Sequence, residues 1–337
     1  MRGAARGTSA SVFFLILGIF VLASCGGDGD SASAPAITYA GLTTEASITD
    51  SNADEISSTS LQGSGPGTLG GVASLSSGAS NKQSGHQLYL VVSRLLEEMV
   101  RNNEASSSAG DARAIYSNTS YIPGNCPGSP GYAVFYENIN TLDGSYYGTI
   151  SFVSFCFDGY TYSGNASFSG QLDFYTASLQ NLSFSLNNVV LTTPCGDSQT
   201  VAGDIFYDFS VVPALVEMTL LIKENGSSTV YRLEDLSMTF RDYDTYIEES
   251  ITGGRFYHPD YGYITYSTQI PLRFYNGSDW PSNGVLVLTG ADAGGGPTRA
   301  RLTVLSDTQY RIEADTDGNG LYEYDSGPQT WETDACE

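Results

Sequence analysis

Near one end of the chain, Asp315-Thr316-Asp317-Gly318-Asn319-Gly320-Leu321-Tyr322-Glu323 carries oxygen-bearing side chains at alternate positions around two glycines. Such spacing can wrap a hard cation. Asp315, Asp317 and Asn319 would give side-chain oxygens and Leu321 its main-chain carbonyl. Glu323 would close the shell directly or through water. Calcium is the expected ion for this all-oxygen set.

The stretch resembles the first half of a DxDxNG calcium loop, with two departures. Position twelve is Ser326 where a bidentate Glu is usual, and the flanks YRIEAD and LYEYD alternate like strands. The same residues therefore also fit a hairpin turn that uses Asp-Gly and Asn-Gly for their tolerance of positive φ.

Catalytic signatures are otherwise scarce. The chain has two histidines, His86 and His258, and none of the HExxH, GxSxG, phosphate-loop or GxGxxG patterns. Cys195-Gly196-Asp197-Ser198 contains a triplet resembling the nucleophile block of GDS-type esterases, but it lacks that family's early strand-to-helix context and late DxxH, so a turn is expected. Carboxylates occur close together at Asp242 and Asp244 and at Glu248 and Glu249. A glycosidase needs two carboxyls about 5–10 Å apart in space, and strand positions alone do not establish that. The 23 tyrosines, with Trp280 and Trp331, suit sugar stacking, yet aromatics are also good strand formers.

The N-terminus points to an address. Arg2 and Arg6 precede the apolar run Val12–Ala23, which is shorter than the ~20 residues needed to span a bilayer. That is the layout of a secretory signal. The run closes on Leu22-Ala23-Ser24-Cys25, which resembles the lipobox of bacterial lipoproteins. The resemblance implies that residues 1–24 are removed and that Cys25 is acylated and becomes the new N-terminus. Two acyl chains anchor stably where one is marginal. Gly26, standing where an aspartate would favour inner-membrane retention, implies the outer membrane if the source is Gram-negative.

Four further cysteines, Cys126, Cys156, Cys195 and Cys336, fit two disulfides in an exported chain. Three connectivities exist, and Cys126–Cys156 with Cys195–Cys336 is the preferred one. A formal charge of −23 argues against nucleic acid and anionic lipid surfaces as partners.

The elements that must position these residues follow from periodicity. Residues 25–35 read as a flexible tether, and 36–62 as a short strand plus a helix of low order, with Asp50 or Ser51 as cap. Residues 63–85 read as a Gly/Ser-rich linker. In 86–102, Leu88, Val91, Val92, Leu95, Leu96, Met99 and Val100 recur at helical spacing, giving an amphipathic helix. A second linker, 103–114, leads to 115–337. There β-branched, aromatic and polar residues alternate between Gly, Asn and Asp turns such as Glu224-Asn225-Gly226-Ser227.

The expected fold class is all-β: an antiparallel meander forming a large sandwich, open barrel or curved sheet. Segments starting at Gly164, Gly203 and Gly254 are loosely alike and hint at a duplicated hairpin unit. A membrane-spanning barrel is disfavoured by the C-terminal Asp334-Ala335-Cys336-Glu337 and by the lipid anchor. The expected function is that of a membrane-anchored envelope lipoprotein. Its β domain is non-catalytic and binds a glycan, lipid or envelope protein, or serves structurally, with no cofactor beyond the candidate calcium. The alternative is a calcium-assisted surface enzyme acting on glycans through acidic residues.

Overall fold

The computed structural model describes residues 36–64 and 115–331, apart from breaks at 129–130, 141, 158, 174–177, 193–195, 197, 276–277 and 279. Cys25, the segment 86–102, Cys195 and Cys336 lie outside the described residues.

The described chain is one open antiparallel sheet of 14 strands in strict sequence order, together with a single short helix, α1 (Ala53–Ser64). Its first half runs β1 (Ile115–Pro123), β2 (Tyr132–Asn140), β3 (Ser145–Phe157), β4 (Tyr160–Asp173), β5 (Ser178–Thr192), β6 (Ser198–Asp208) and β7 (Ala214–Glu224). The second half runs β8 (Val230–Asp242), β9 (Tyr246–His258), β10 (Gly262–Tyr275), β11 (Asn283–Asp292), β12 (Pro297–Ser306), β13 (Gln309–Asp315) and β14 (Tyr324–Thr330). Of the three architectures left open by the sequence, the open sheet is the one found.

Period-two patterning explains why these residues make strands. In β5, Leu182, Phe184 and Leu186 are buried, while Ser185 between them and Asn187 after them are exposed. The same phase continues through Phe135, Ile150, Val216, Leu233 and Leu302, so one face of the whole sheet is a continuous core.

A sheet this wide must bend to cover its own apolar face, and a line of irregularities bends it. Gly164, Gly203 and Gly254 all sit mid-strand at φ 119°, 130° and 140°. Beside them Asn188 and Asp235 take left-handed conformations at φ 52° and 50°. Register shifts flank them between β4 and β5, β5 and β6, and β8 and β9. Bulges of this kind add local twist and bend to the bulged strand. Together they form a crease across the middle of the sheet.

The N-terminal segment packs on the core side and is more firmly docked than its composition suggests. Near Tyr263 and Ala291 the chain slips beside β10 and β11: Ala46 N–H donates to Tyr263 O at 2.8 Å, and Ala291 N–H donates to Ala46 O at 2.8 Å. Ile48, Ile56 and Leu61 are fully buried. The capping place belongs to Asn52 rather than Asp50 or Ser51. Its carbonyl accepts the first helical bond, from Ile56 N–H at 2.9 Å, and its side chain accepts from Thr49 N–H at 2.7 Å.

Cys126 and Cys156 are joined, with a Cα–Cα distance of 5.6 Å and a sequence separation of 30. Closing a loop of that length stabilises by about 3–4 kcal/mol in the chain-entropy account. The bond ties the segment after β1 to the end of β3.

Candidate functional site

A depression of about 890 Å³ lies on the solvent-facing side of β3–β8. Strand register places its side chains, with Thr149 beside them, in two adjacent rows. One runs Tyr147, Ser169, Ser183, Phe206 and Glu217, each paired directly with the next. The other runs Thr149, Ser167, Ser185, Asp204 and Thr219, paired in the same way.

Four serines thus form a floor two strands wide, with Tyr147 and Phe206 as walls. Three strand spacings put those walls about 14 Å apart. Asp204, Glu217 and Asp235 line the β6–β8 side. The arrangement offers short hydroxyls, aromatic faces and carboxylates to a polar, elongated ligand. The sequence shows the serines in NASFSG and LSFSLN, but only the register sets them side by side.

The residues expected to bind calcium lie together. Asp315 ends β13, and the turn 316–323 leads to β14. One oxygen from each of Asp315, Asp317 and Glu323 falls within 4.8 Å of the others. The loop is held by its own carboxylates. Asn319 N–H donates to Asp315 Oδ1 at 3.1 Å and to Asp317 Oδ1 at 3.0 Å, and Gly320 N–H donates to Asp315 Oδ2 at 2.9 Å. Gly318 and Gly320 adopt φ 75° and 88°, as either a cation loop or a tight turn requires. Asn319 Oδ1 accepts from Leu321 N–H at 2.7 Å, and Leu321 is exposed. Of the five expected ligands, the three carboxylates are the ones this turn brings into range of one another.

The other candidates separate. Asp242 Oδ1 caps its own turn by accepting from Asp244 N–H at 3.0 Å. Glu248 pairs with Arg273 at 2.7 Å, whereas Glu249 turns inward and is buried. The two carboxyls of that pair thus sit on opposite faces of β9. Ser198 begins β6; its neighbours Cys195 and Asp197 lie outside the described residues, as does His86.

His258 ends β9 and is buried. Its Nε2 lies 3.4 Å from Glu55 Oε1, its ring stacks on Tyr261 at 4.5 Å, and its Nδ1 accepts from Asp260 N–H at 3.3 Å. Burial holds its pKa below the usual histidine value in spite of Glu55, Asp260 and Glu224. This cluster fastens α1 to the sheet.

Trp280 and Trp331 stack on each other at 4.8 Å, and Trp331 is buried with its Nε1–H donating to Ser306 O at 3.2 Å. Trp331 belongs to the core, and Trp280 packs half-buried against it. Solvent-facing rings include Tyr121, Tyr132, Tyr136 and Tyr147 on β1–β3, with Tyr243 and Tyr275 farther along the sheet.

One carboxyl escaped the sequence reading. In YAVFYENIN, Ala133, Phe135 and Ile139 point to the core, and Glu137 shares their phase and is buried. Its Oε1 accepts from Asn118 Nδ2 at 3.0 Å and from Ser120 Oγ at 3.4 Å. Oε2 is buried without a hydrogen-bond partner among the described residues. Burial raises its pKa from 4.5 to about 7 against the opposing effect of those two bonds.

No helix among the described residues is long and apolar enough to cross a membrane. Compared with protein-family models, with curated proteins and with solved structures, the chain finds no match.

Proposed function

We propose that the chain is a lipid-anchored envelope protein whose sheet binds a glycan without turning it over, in the serine-floored trough of β3–β8. The lipobox-like Leu22-Ala23-Ser24-Cys25 supplies the address. The single observation that carries the binding assignment is the direct pairing of Tyr147, Ser169, Ser183 and Phe206 across four strands. Sugars present alternating hydroxyl edges and apolar faces, which serine hydroxyls, carboxylates and ring faces complement.

Binding is favoured over hydrolysis because the trough is a shallow strand surface. Asp204 and Glu217 stand diagonally on neighbouring strands, exposed to water. A glycosidase general acid is held in surroundings that raise its pKa.

The test is affinity electrophoresis of the full-length protein in neutral and in anionic polysaccharides. Retardation in the neutral gels, abolished by Ser183→Trp, which fills the floor, is the expected result. Release of reducing ends would overturn the non-catalytic reading, and unaltered mobility in every gel would remove the glycan.

A second reading concerns the β13–β14 turn: Asp315, Asp317 and Glu323 hold calcium and stiffen that edge of the sheet. The convergence of their three oxygens within 4.8 Å supports it. Millimolar calcium should raise Tm and a chelator lower it. Asp317→Asn with Glu323→Gln should erase the difference, and a Tm indifferent to both additions would end the reading.

A further inference from the structure

The two edges of the open sheet are unlike. β14, sequence YDSGPQT, is short. Gly327 at φ 64° and Pro328 interrupt it, its register against β13 slips, and Asp325 is tied to Arg311. Such features blunt an edge against further pairing. β1, sequence IYSNTSYIP, has none of them. It is two residues longer, carries no charge, keeps its proline to the last position, and pairs with β2 in unbroken register. Among the described residues β1 has no second partner strand. An antiparallel strand bonded on one side turns alternate N–H and C=O groups outward.

Behind this edge lies the carboxyl of Glu137, whose Oε2 has no partner among the described residues. A small pocket of about 380 Å³ is lined by Ser117, Asn118, Thr119, Tyr136, Glu137 and Asn138. On the β3 side the residue opposite Glu137 is Gly148, which brings no side chain. On the β1 side stand the short Asn118 and Ser120, both already bonded to Oε1. The unmet oxygen therefore needs a donor that neither flanking strand provides, and a buried carboxylate is costly unless paired.

We propose that β1 is the docking edge for an extended segment of a partner polypeptide, which adds as a fifteenth strand and delivers a lysine or arginine side chain to Glu137 Oε2. Two strand spacings separate an added strand from β2, about 10 Å, a span that a long basic side chain and a glutamate cover together over the short Asn118. A basic partner also suits a chain with 37 acidic against 14 basic residues. The added ladder supplies affinity and the basic side chain sets register, as in other cases of strand addition. This edge lies apart from the trough, so either assignment can fail alone.

The experiment uses full-length protein and three fluorescent nine-residue peptides of alternating Thr and Val. One has a central Lys and one a central norleucine; the third is the Lys peptide N-methylated at alternate residues. By anisotropy the Lys peptide should bind at least tenfold more tightly than the other two. Glu137→Gln should erase the preference for Lys over norleucine without weakening the norleucine peptide. Rising salt should narrow the gap for the wild type. Equal affinity for all three peptides, no binding of any, or a Lys preference that survives Glu137→Gln would overturn the proposal. So would a dimer in sedimentation that the Lys peptide fails to dissociate, since β1 would then be taken by a second copy.

Discussion

Tyr261 donates its phenolic hydrogen to Glu55 Oε2 at 2.7 Å across 206 residues of sequence, while His258 Nε2 stands 3.4 Å from Oε1 of the same carboxylate. Its neighbour Asp54 accepts from Tyr324 at 2.6 Å. The first turn of α1 is thus gripped from the β9–β10 turn and from β14 at once. These carboxylates also sit at the positive end of the helix dipole. Glu55 is half exposed, so its bonds should matter less than the apolar burial beneath them. Tyr261→Phe is expected to cost about 0.5–1.5 kcal/mol, and Ile56→Ala about 2–5 kcal/mol. Urea unfolding with unchanged slope would measure both; the reverse order would show that the polar grip dominates.

Ser57 offers the opposite case on the same helix. Its side chain is fully buried, and Oγ has no hydrogen-bond partner among the described residues. Alanine removes that unmet hydroxyl and is the better helix former. Ser57→Ala should therefore leave stability unchanged or raise it by up to about 1 kcal/mol. A loss of more than that in the urea midpoint analysis would reveal a partner for the hydroxyl.

Two buried titrating groups give the stability profile opposite slopes. His258 has a folded pKa below its ordinary 6.5, so the unfolded chain takes up the proton first and stability falls as pH drops below about 6.5. Glu137 has a folded pKa raised from 4.5 to about 7, so the folded chain holds a proton the unfolded chain has lost. Its contribution falls as pH rises from about 4.5 to 7. His258→Gln should flatten the acid-side loss, and Glu137→Gln the loss toward neutrality. Tm measured from pH 4.5 to 8 separates them, and a profile unmoved by Glu137→Gln would mean that the carboxyl is solvated.

The β class was legible because strand periodicity is local. Leu182, Phe184 and Leu186 announce the core face of β5 without help from any other strand. The disulfide Cys126–Cys156 was one of three connectivities that the sequence allowed, and only the fold selects it. The Asp315–Glu323 cluster was legible because its members are near neighbours in sequence. Contacts that span the chain were not: nothing near His258 announces Glu55, and Ser169 and Ser183 become one surface only when β4 and β5 are set in register. Glu137 was legible and missed, since a carboxylate in the apolar phase of YAVFYENIN is itself the signal.

The glycine echoes at 164, 203 and 254 share one backbone role. They mark the crease, where mid-strand backbone must take φ values above 100° and where a side chain would strike the neighbouring strand. A Cβ on Gly203 would overlap the Thr219 carbonyl oxygen, and one on Gly254 would come within 2.7 Å of Leu236 Cα. Glycine at Gly226, by contrast, has no neighbour within 4 Å of an added Cβ, so Gly226→Ala meets only the strain of its turn. Gly203→Ala and Gly254→Ala should each cost more than Gly226→Ala, through strain of about 1–3 kcal/mol with steric displacement of the adjacent strand added. Thermal unfolding of the three variants ranks them directly. If Gly226→Ala proved as damaging as the crease variants, bending of the sheet would not depend on these glycines.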